Sequence, residues 1–229
     1  MSGNLIISLD CEGKWGLSND LTITKKFTNL NLINTYKSLN NFFLNLKIPV
    51  TYAFVGSFIL NKKEKKNFDC FENLNECYSE PLFNYFKSDE QNKKEGWFVP
   101  EVFDIVNHEI NEIACHSFSH LRFNKNLDIT KIDKELNNCK RVWNLKNIIY
   151  KTFIFPYNEI AHLSKIKELG FSGFRDHKFQ KKSFFSKFTN LVEEYNVWKK
   201  YKYTEKVNKF NLTPIPGGLF FNWRFKFRK

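Results

Sequence analysis

Short apolar runs alternate with amphipathic stretches from residue 5 to residue 174, an order typical of an α/β fold with parallel strands. The apolar runs predict five strands, at residues 5–9, 50–55, 112–115, 150–155 and 171–174. Apolar side chains at steps of three and four predict a helix over residues 28–46. Two further helices are predicted, one from the capping residue Asp128 to about Leu145, and one over residues 160–169 that ends at Gly170.

Residues 61–96 differ from this pattern. They begin with the run Lys62-Lys63-Glu64-Lys65-Lys66 and end near Asn92-Lys93-Lys94-Glu95, with scattered aromatic side chains between. This pattern predicts a surface insertion with a short helix. The 229 residues then form one domain, which is long enough to bury roughly 70–75% of the surface of the unfolded chain.

Composition excludes some classes of protein. Aromatic residues make up 17% of the chain and hydrophobic residues 42%, which excludes a disordered protein. Lysine and arginine total 36 against 24 acidic residues, and the net charge of +12 favours anionic partners. The lysines are scattered rather than aligned on one face, and no nucleic-acid motif accompanies them. We therefore expect no nucleic-acid partner.

Two features predict a cytoplasmic protein. No apolar stretch has the length that crosses a bilayer, and the run at residues 5–9 lacks a basic leader and is interrupted at once by Asp10, Glu12 and Lys14. The five cysteines are odd in number and irregularly spaced, which suits a reducing compartment.

Candidate chemistry lies where predicted strands end. Asp10 and Glu12 share a face if the strand continues, and two carboxylates there suit a metal ligand plus a general base. The alternative is a pair of solvated acids. His116 and His120 are four residues apart, and on a helical turn both imidazoles reach one ion. Pro156-Tyr157-Asn158 marks a sharp exit from a strand, either beside a site or as an ordinary turn.

Together these residues resemble the polysaccharide deacetylase superfamily, the carbohydrate esterases related to chitooligosaccharide deacetylases. The resemblance rests on five stretches in the family's order: Ile7-Ser8-Leu9-Asp10-Cys11-Glu12-Gly13-Lys14-Trp15-Gly16, Val50-Thr51-Tyr52-Ala53-Phe54-Val55-Gly56, Glu112-Ile113-Ala114-Cys115-His116-Ser117-Phe118-Ser119-His120, Ile154-Phe155-Pro156-Tyr157-Asn158 and Leu169-Gly170-Phe171-Ser172-Gly173-Phe174-Arg175. It implies a distorted (β/α) barrel and metal-dependent removal of an acetyl group from an N-acetylated sugar.

The resemblance also implies roles for single residues. His116, His120 and Glu12 would hold Zn²⁺ or another divalent transition metal, Asp10 would be the catalytic base, and the backbone amide of Tyr157 would help to hold the oxyanion. An exchange of roles between Asp10 and Glu12 stays open. A cytoplasmic location favours a nucleotide- or lipid-linked N-acetylated sugar or glycan, used in surface-polysaccharide synthesis.

The chain departs from the family's pattern at two places. Ile154 stands where the third motif usually has an arginine, so the base lacks its usual orienting partner. The late histidine motif that supplies the general acid has no counterpart, and the barrel's last strand and helix are expected to be missing. Either His177 or another group acts as the acid, or that part of the barrel has been lost. A catalytically inactive barrel that binds a glycan or acts as a scaffold is the alternative function.

Overall fold

The computed structural model describes residues 6–17, 26–71, 95–106, 108–176 and 207–216. Six strands form one parallel sheet in sequence order: β1 (Ser8–Cys11), β2 (Thr51–Phe54), β3 (Glu112–Cys115), β4 (Thr152–Phe153), β5 (Gly173–Asp176) and β6 (Thr213–Pro216). The helices are α1 (Asn29–Asn45), α2 (Lys62–Lys65), α3 (Glu101–Ile105), α4 (Ile129–Lys146) and α5 (Leu163–Glu168), with short 3-10 turns between them. The sheet curls, so the predicted fold class, an incomplete (β/α) barrel, is confirmed over these residues.

The two long helices, α1 and α4, each begin after a residue whose side chain caps them. The Thr28 hydroxyl accepts a hydrogen bond from the Asn31 N–H at the start of α1, and the Asp128 carboxylate accepts one from Thr130 at the start of α4. These caps satisfy backbone donors that have no partner inside a helix. Both helices were predicted within about a residue of their observed bounds.

The two faces of the sheet have different surroundings because side chains alternate along a strand. One face, with Tyr52, Phe54 and Phe153, packs in the main apolar core that the helices also line. The other face turns into the barrel, where Ala53, Ala114 and Ile154 form a small apolar cluster of their own. Below that cluster, the Glu112 carboxylate accepts hydrogen bonds from the hydroxyls of Thr51 and Thr152. Over these strands the interior is therefore lined by two alanines, Ile154 and polar side chains.

Several predicted bounds are wrong in an informative way. Strand β1 runs to Cys11 instead of ending at Leu9, because Asp10 and Cys11 continue the pairing with β2. Strand β4 has only two residues, and β5 begins two residues later than predicted. Helix α5 begins at Leu163, since His162 before it has a left-handed backbone with a φ of 55°.

Strand β6 was not predicted at all. Its sequence is Thr-Pro-Ile-Pro, and proline is rare in strands because it has no N–H to donate. The strand nevertheless pairs with β5, with Thr213 opposite Gly173 and Ile215 opposite Arg175. Among the described strands β6 is the last in the sheet order, and a strand at the edge of a sheet tolerates proline.

Of the predicted insertion, the structure describes its two ends. Helix α2 is a single turn with a capping box. The Asn61 side chain accepts a hydrogen bond from the Glu64 N–H, and the Glu64 side chain accepts one from the Asn61 N–H. Residues 72–94 lie outside the described residues, as does His177. Among the described residues, no helix has both the length and the apolar character needed to cross a membrane.

Candidate metal site

The turn after β1 positions Glu12 at the carboxyl end of the sheet. Gly13, with a φ of 52°, begins a 3-10 turn that ends at Leu17. Its backbone could not carry a side chain without strain, and a Cβ there would also meet the Gly96 carbonyl oxygen at 2.5 Å. The same turn brings Gly16 against Glu12, where an added Cβ would lie 1.9 Å from Glu12 Oε1. The Glu12 carboxylate therefore occupies space that exists because residue 16 has no side chain.

The segment from His116 to His120, which we call the histidine loop, follows β3. It is not the helical turn that the four-residue spacing predicted. Ser117 and His120 have φ values of 63° and 61°, so the chain bends sharply at both positions. The two imidazoles still converge, and their ring centroids are 4.9 Å apart.

Buried hydrogen bonds explain this conformation. The Glu135 carboxylate, on α4, accepts hydrogen bonds from the backbone N–H groups of Phe118 at 2.8 Å and Ser119 at 2.6 Å, and from the Ser119 hydroxyl. The carbonyl groups of Ser117 and Phe118 accept hydrogen bonds from the N–H groups of Gly56 and Ser57 after β2. The loop is thus held from both sides, which compensates for its strained backbone.

Glu135 was missed at the sequence level, although a signal was present. It lies in the buried apolar stripe of α4, which also contains Ile132, Leu136 and Cys139. An acid in a buried stripe needs hydrogen-bond donors. Burial raises the pKa of Glu135, and the donors from Ser119 and Phe118 act in the opposite direction.

Glu12, His116 and His120 meet at one point. Glu12 Oε2 lies 2.8 Å from His120 Nε2 and 3.3 Å from His116 Nε2. One ligand atom from each of the three residues lies within 4.8 Å of the other two. Both histidine side chains are buried, whereas that of Glu12 is 29% exposed, so the group is open to solvent on one side.

The donor set fits a divalent cation. Two ligands of a tetrahedral zinc ion lie roughly 3.4 Å apart, given bonds of about 2.1 Å. His116 Nδ1 lies 2.8 Å from the Ile154 carbonyl oxygen, so an N–H donated there leaves Nε2 as the ligand atom. His120 Nδ1 is buried and has no hydrogen-bond partner among the described residues. With a cation present, both Nε2 atoms and the carboxylate would gain a shared partner.

The charges of the three groups depend on one another. Burial alone would raise the pKa of Glu12, but His120 and His116 hold it well below its usual range. Burial would lower the pKa of His116, but the carboxylates of Asp10 and Glu12 and the Ile154 carbonyl raise it above its ordinary value. Without a metal, the site therefore favours an ionised carboxylate beside a protonated imidazole.

Asp10 does not join this group but forms a separate ion pair. Its Oδ1 and Oδ2 accept hydrogen bonds from Arg175 Nη1 at 2.6 Å and Nη2 at 2.8 Å. Burial raises the pKa of Asp10, and His116 and Arg175 more than offset it, so that the net pKa is lowered. Ile154 does stand where the third motif would place an arginine, and a different arginine, Arg175 of β5, contacts Asp10 instead. Sequence analysis gave Arg175 no role.

The turn after β4 completes the surroundings. Tyr157 and Asn158 both have left-handed backbones, with φ values of 56° and 54°. The Tyr157 ring packs against the His120 ring, with centroids 4.7 Å apart. The Arg122 guanidinium also lies over the Tyr157 ring, 4.2 Å from its centroid. The turn predicted from Pro156 thus lies beside the histidine loop.

A cleft of about 560 Å³ borders this site. Asp10 and Glu12 line it, together with Tyr36 and Leu32 of α1 and the 3-10 turn at Gly16. It gives the two carboxylates contact with solvent on the side away from the buried histidines.

We expect Gly16→Ala to weaken zinc binding by about 10- to 100-fold, because the new methyl group displaces the Glu12 carboxylate. Zinc affinity is measured by calorimetric titration. Gly170→Ala is the matched control: its φ of 104° makes a side chain strained, but a Cβ there meets nothing within 4 Å. If both variants bind zinc like the wild type, Glu12 is not held as a ligand.

We expect Glu135→Leu to lower the free energy of unfolding by about 3 kcal/mol, because it leaves two buried N–H groups without acceptors. Zinc affinity should fall with it, since the histidine loop loses its anchor. Glu135→Gln keeps an oxygen acceptor and should lose much less of both. Urea unfolding and zinc titration of the two variants check this, and equal behaviour of Leu and Gln would contradict it.

Zinc affinity should fall as the pH is lowered, and the fall should begin above pH 6.5, the ordinary pKa of histidine. Affinity falls at low pH because a metal binds only the neutral imidazole. The raised pKa of His116 keeps this side chain protonated up to a higher pH than usual. Competition titrations between about pH 8 and about pH 5.5 measure this. An affinity that stays constant until the pH is well below 6.5 would contradict it.

Comparisons with known proteins give a distant structural match. No protein-family model and no curated protein matches the sequence. The structure is similar to the crystal structure of a "putative polysaccharide deacetylase" from Mycobacterium smegmatis, with a TM-score of 0.40 and 13% sequence identity. The match covers 74% of this chain and 49% of the other, so this chain spans about half the length of that protein. At this identity the likeness concerns the fold alone.

Proposed function

We propose that this chain is a metal-dependent hydrolase that removes the acetyl group from an N-acetylated sugar. The observation that carries the proposal is the convergence of Glu12, His116 and His120 next to a separate, ion-paired Asp10. Three ligands with one side open to solvent are typical of a catalytic rather than a structural metal site. A second carboxylate beside them suits proton transfer.

The roles of the residues follow from their contacts. Glu12 Oε2, His116 Nε2 and His120 Nε2 would hold the metal, for which zinc is our candidate. When bound, zinc would act as a Lewis acid and would lower the pKa of water at the site to about 7. Asp10 would accept the proton of the attacking water, since each of its oxygens keeps a lone pair beyond the bond to Arg175. The Tyr157 backbone N–H would donate to the developing oxyanion.

The ion pair explains why Asp10, and not Glu12, is assigned as the base. Arg175 holds both oxygens of Asp10, whereas Glu12 Oε2 faces the two imidazoles. A carboxylate that already faces two nitrogen ligands suits the metal, and one that is fixed nearby but outside the ligand group suits proton transfer. These contacts support Asp10 as the base and Glu12 as the ligand, in preference to the exchanged roles that the sequence left open.

The substrate we propose is an N-acetylated sugar or glycan carried by a nucleotide or a lipid, used in cytoplasmic steps of surface-polysaccharide synthesis. A phosphorylated carrier group is compatible with the net charge of +12. The general acid for the leaving amine is not among the groups we assign. His177, the candidate from the sequence, lies outside the described residues.

The test is release of acetate from acetylated chitotetraose and from a nucleotide-linked N-acetylglucosamine, with the zinc-loaded protein. We expect turnover that stops on addition of a chelator and returns with zinc. Tight zinc binding with no acetate from either substrate would contradict the hydrolase and favour the non-catalytic glycan-binding or scaffold protein.

A further inference from the structure

We propose that Arg175 is a positioning residue of this site, which fixes the Asp10 carboxylate and the turn at Asn158 relative to each other from the opposite side of the barrel. This inference rests on the proposed function for its effect on turnover. The pairing itself can be tested without any activity.

The contacts of Arg175 form a fork with three partners. Nη1 donates to Asp10 Oδ1 and, at 3.2 Å, to the Ser8 hydroxyl, while Nη2 donates to Asp10 Oδ2 and, at 3.1 Å, to Asn158 Oδ1. Parallel two-point contact between a guanidinium and a carboxylate fixes the orientation of the carboxylate as well as its position. The Arg175 side chain is 13% exposed and that of Asp10 is 31% exposed, so the guanidinium is largely shielded while the carboxylate keeps contact with solvent.

The pair joins strands that are distant in the sheet. Three strands separate β1 from β5, and in a flat sheet these two would lie roughly 19 Å apart. An arginine side chain cannot span that distance, so the contact requires the curled sheet. The space it crosses is lined by the small residues Ala53 and Ala114, which lie on the same face as Asp10. Larger side chains there would fill the path of the guanidinium.

The position of Arg175 also relates to Ile154. Phe153 pairs with Phe174, so the residues that follow, Ile154 and Arg175, are neighbours that face the same interior. Ile154 is 1% exposed and packs on Ala53 and Ala114. The cation that orients Asp10 therefore comes from β5, one strand further from β1 than Ile154.

Two parts of the proposed active site depend on this fork. One is Asp10, whose rotamer it fixes. The other is the turn of Tyr157 and Asn158, whose left-handed backbone is tied down at Asn158 Oδ1. None of the metal-ligand atoms of Glu12, His116 or His120 is among the partners of the fork. Loss of Arg175 should therefore affect turnover far more than metal affinity.

The first experiment measures the pairing alone. Urea unfolding is compared for the wild type, Arg175→Gln, Asp10→Asn and the double variant. Each single substitution should raise the unfolding equilibrium constant. We expect the constant of the double variant to be at least about threefold lower than the product of the two single effects predicts. Additive effects would overturn the proposal whether or not the protein has activity.

The second experiment separates positioning from metal binding. In Arg175→Gln we expect zinc affinity within about threefold of the wild type, kcat for acetate release lowered about 100-fold, and KM little changed. Arg175→Lys keeps the charge without the fork and should lie between the two. An unchanged kcat, or a loss of zinc affinity as large as the loss of kcat, would overturn the proposal. If the wild type releases no acetate, the proposed function fails, and the unfolding experiment still decides the role of Arg175.

Discussion

His120→Ala is expected to weaken zinc binding on the order of 1000-fold. The figure follows if three ligands share a binding free energy of about 12 kcal/mol, so that one ligand supplies about 4 kcal/mol. His120 Nε2 lies 2.8 Å from Glu12 Oε2, and neither Glu12 nor His116 can replace its nitrogen. The measurement is calorimetric titration of zinc into protein treated with a chelator.

His162→Ala is the matched control for that variant. His162 also has a left-handed backbone, and its Nε2 lies 2.9 Å from the Asn124 carbonyl oxygen, away from the ligand group. We expect it to lose some stability and no zinc affinity. If His120→Ala and His162→Ala bind zinc equally well, the ligand assignment is wrong.

Asp10→Asn is expected to lower turnover about 100- to 10,000-fold and to leave zinc affinity within about threefold of the wild type. The asparagine oxygen can still accept a hydrogen bond from Arg175, so the fork is partly kept while the proton acceptor is lost. Acetate release and zinc titration on the same preparation provide the two readouts.

Asp104→Asn controls for the removal of one acidic charge, because Asp104 is an exposed acid in α3. We expect it to behave like the wild type in both assays. A loss of zinc affinity in Asp10→Asn as large as that in His120→Ala would identify Asp10 as a ligand and would reverse the roles of Asp10 and Glu12.

The regular elements could be predicted because local patterns determine them. Helices α1 and α4 have apolar stripes and capping side chains next to them in sequence, and β3 is a short apolar run bounded by polar residues. The bounds of β1 could not be predicted from the apolar run, because Asp10 and Cys11 belong to the strand through pairing with β2. Strand β6 could not be predicted for the same reason, because only its pairing with β5 makes a Thr-Pro-Ile-Pro segment a strand.

The sequence singled out Glu12, His116 and His120, which the structure brings together, but it did not predict their geometry. The spacing of His116 and His120 indicated a shared ion, but a helical turn was the wrong conformation for it. The left-handed backbones of Ser117 and His120 depend on Glu135, which is on a later helix. The acid in the apolar stripe of α4 signalled a buried group that needs donors, but it did not indicate that Phe118 and Ser119 supply them.

Arg175 shows the same limit most clearly. Asp10 and Arg175 are 165 residues apart, and their contact depends on the curl of the sheet. The resemblance pointed to Ile154 as the place of a missing arginine, and although Arg175 directly follows the predicted strand 171–174, nothing local indicated that it contacts Asp10. Only the strand order and the curl of the sheet bring Arg175 to Asp10.

The central claim, that Glu12, His116 and His120 form one metal site, is tested most directly by anomalous X-ray diffraction from crystals of the zinc-loaded protein. We expect one strong zinc peak, bonded at about 2.0–2.2 Å to a Glu12 carboxylate oxygen, His116 Nε2 and His120 Nε2, with Asp10 outside the coordination sphere. A zinc ion bound by Asp10 in place of Glu12, or no peak beside the histidine loop, would contradict it.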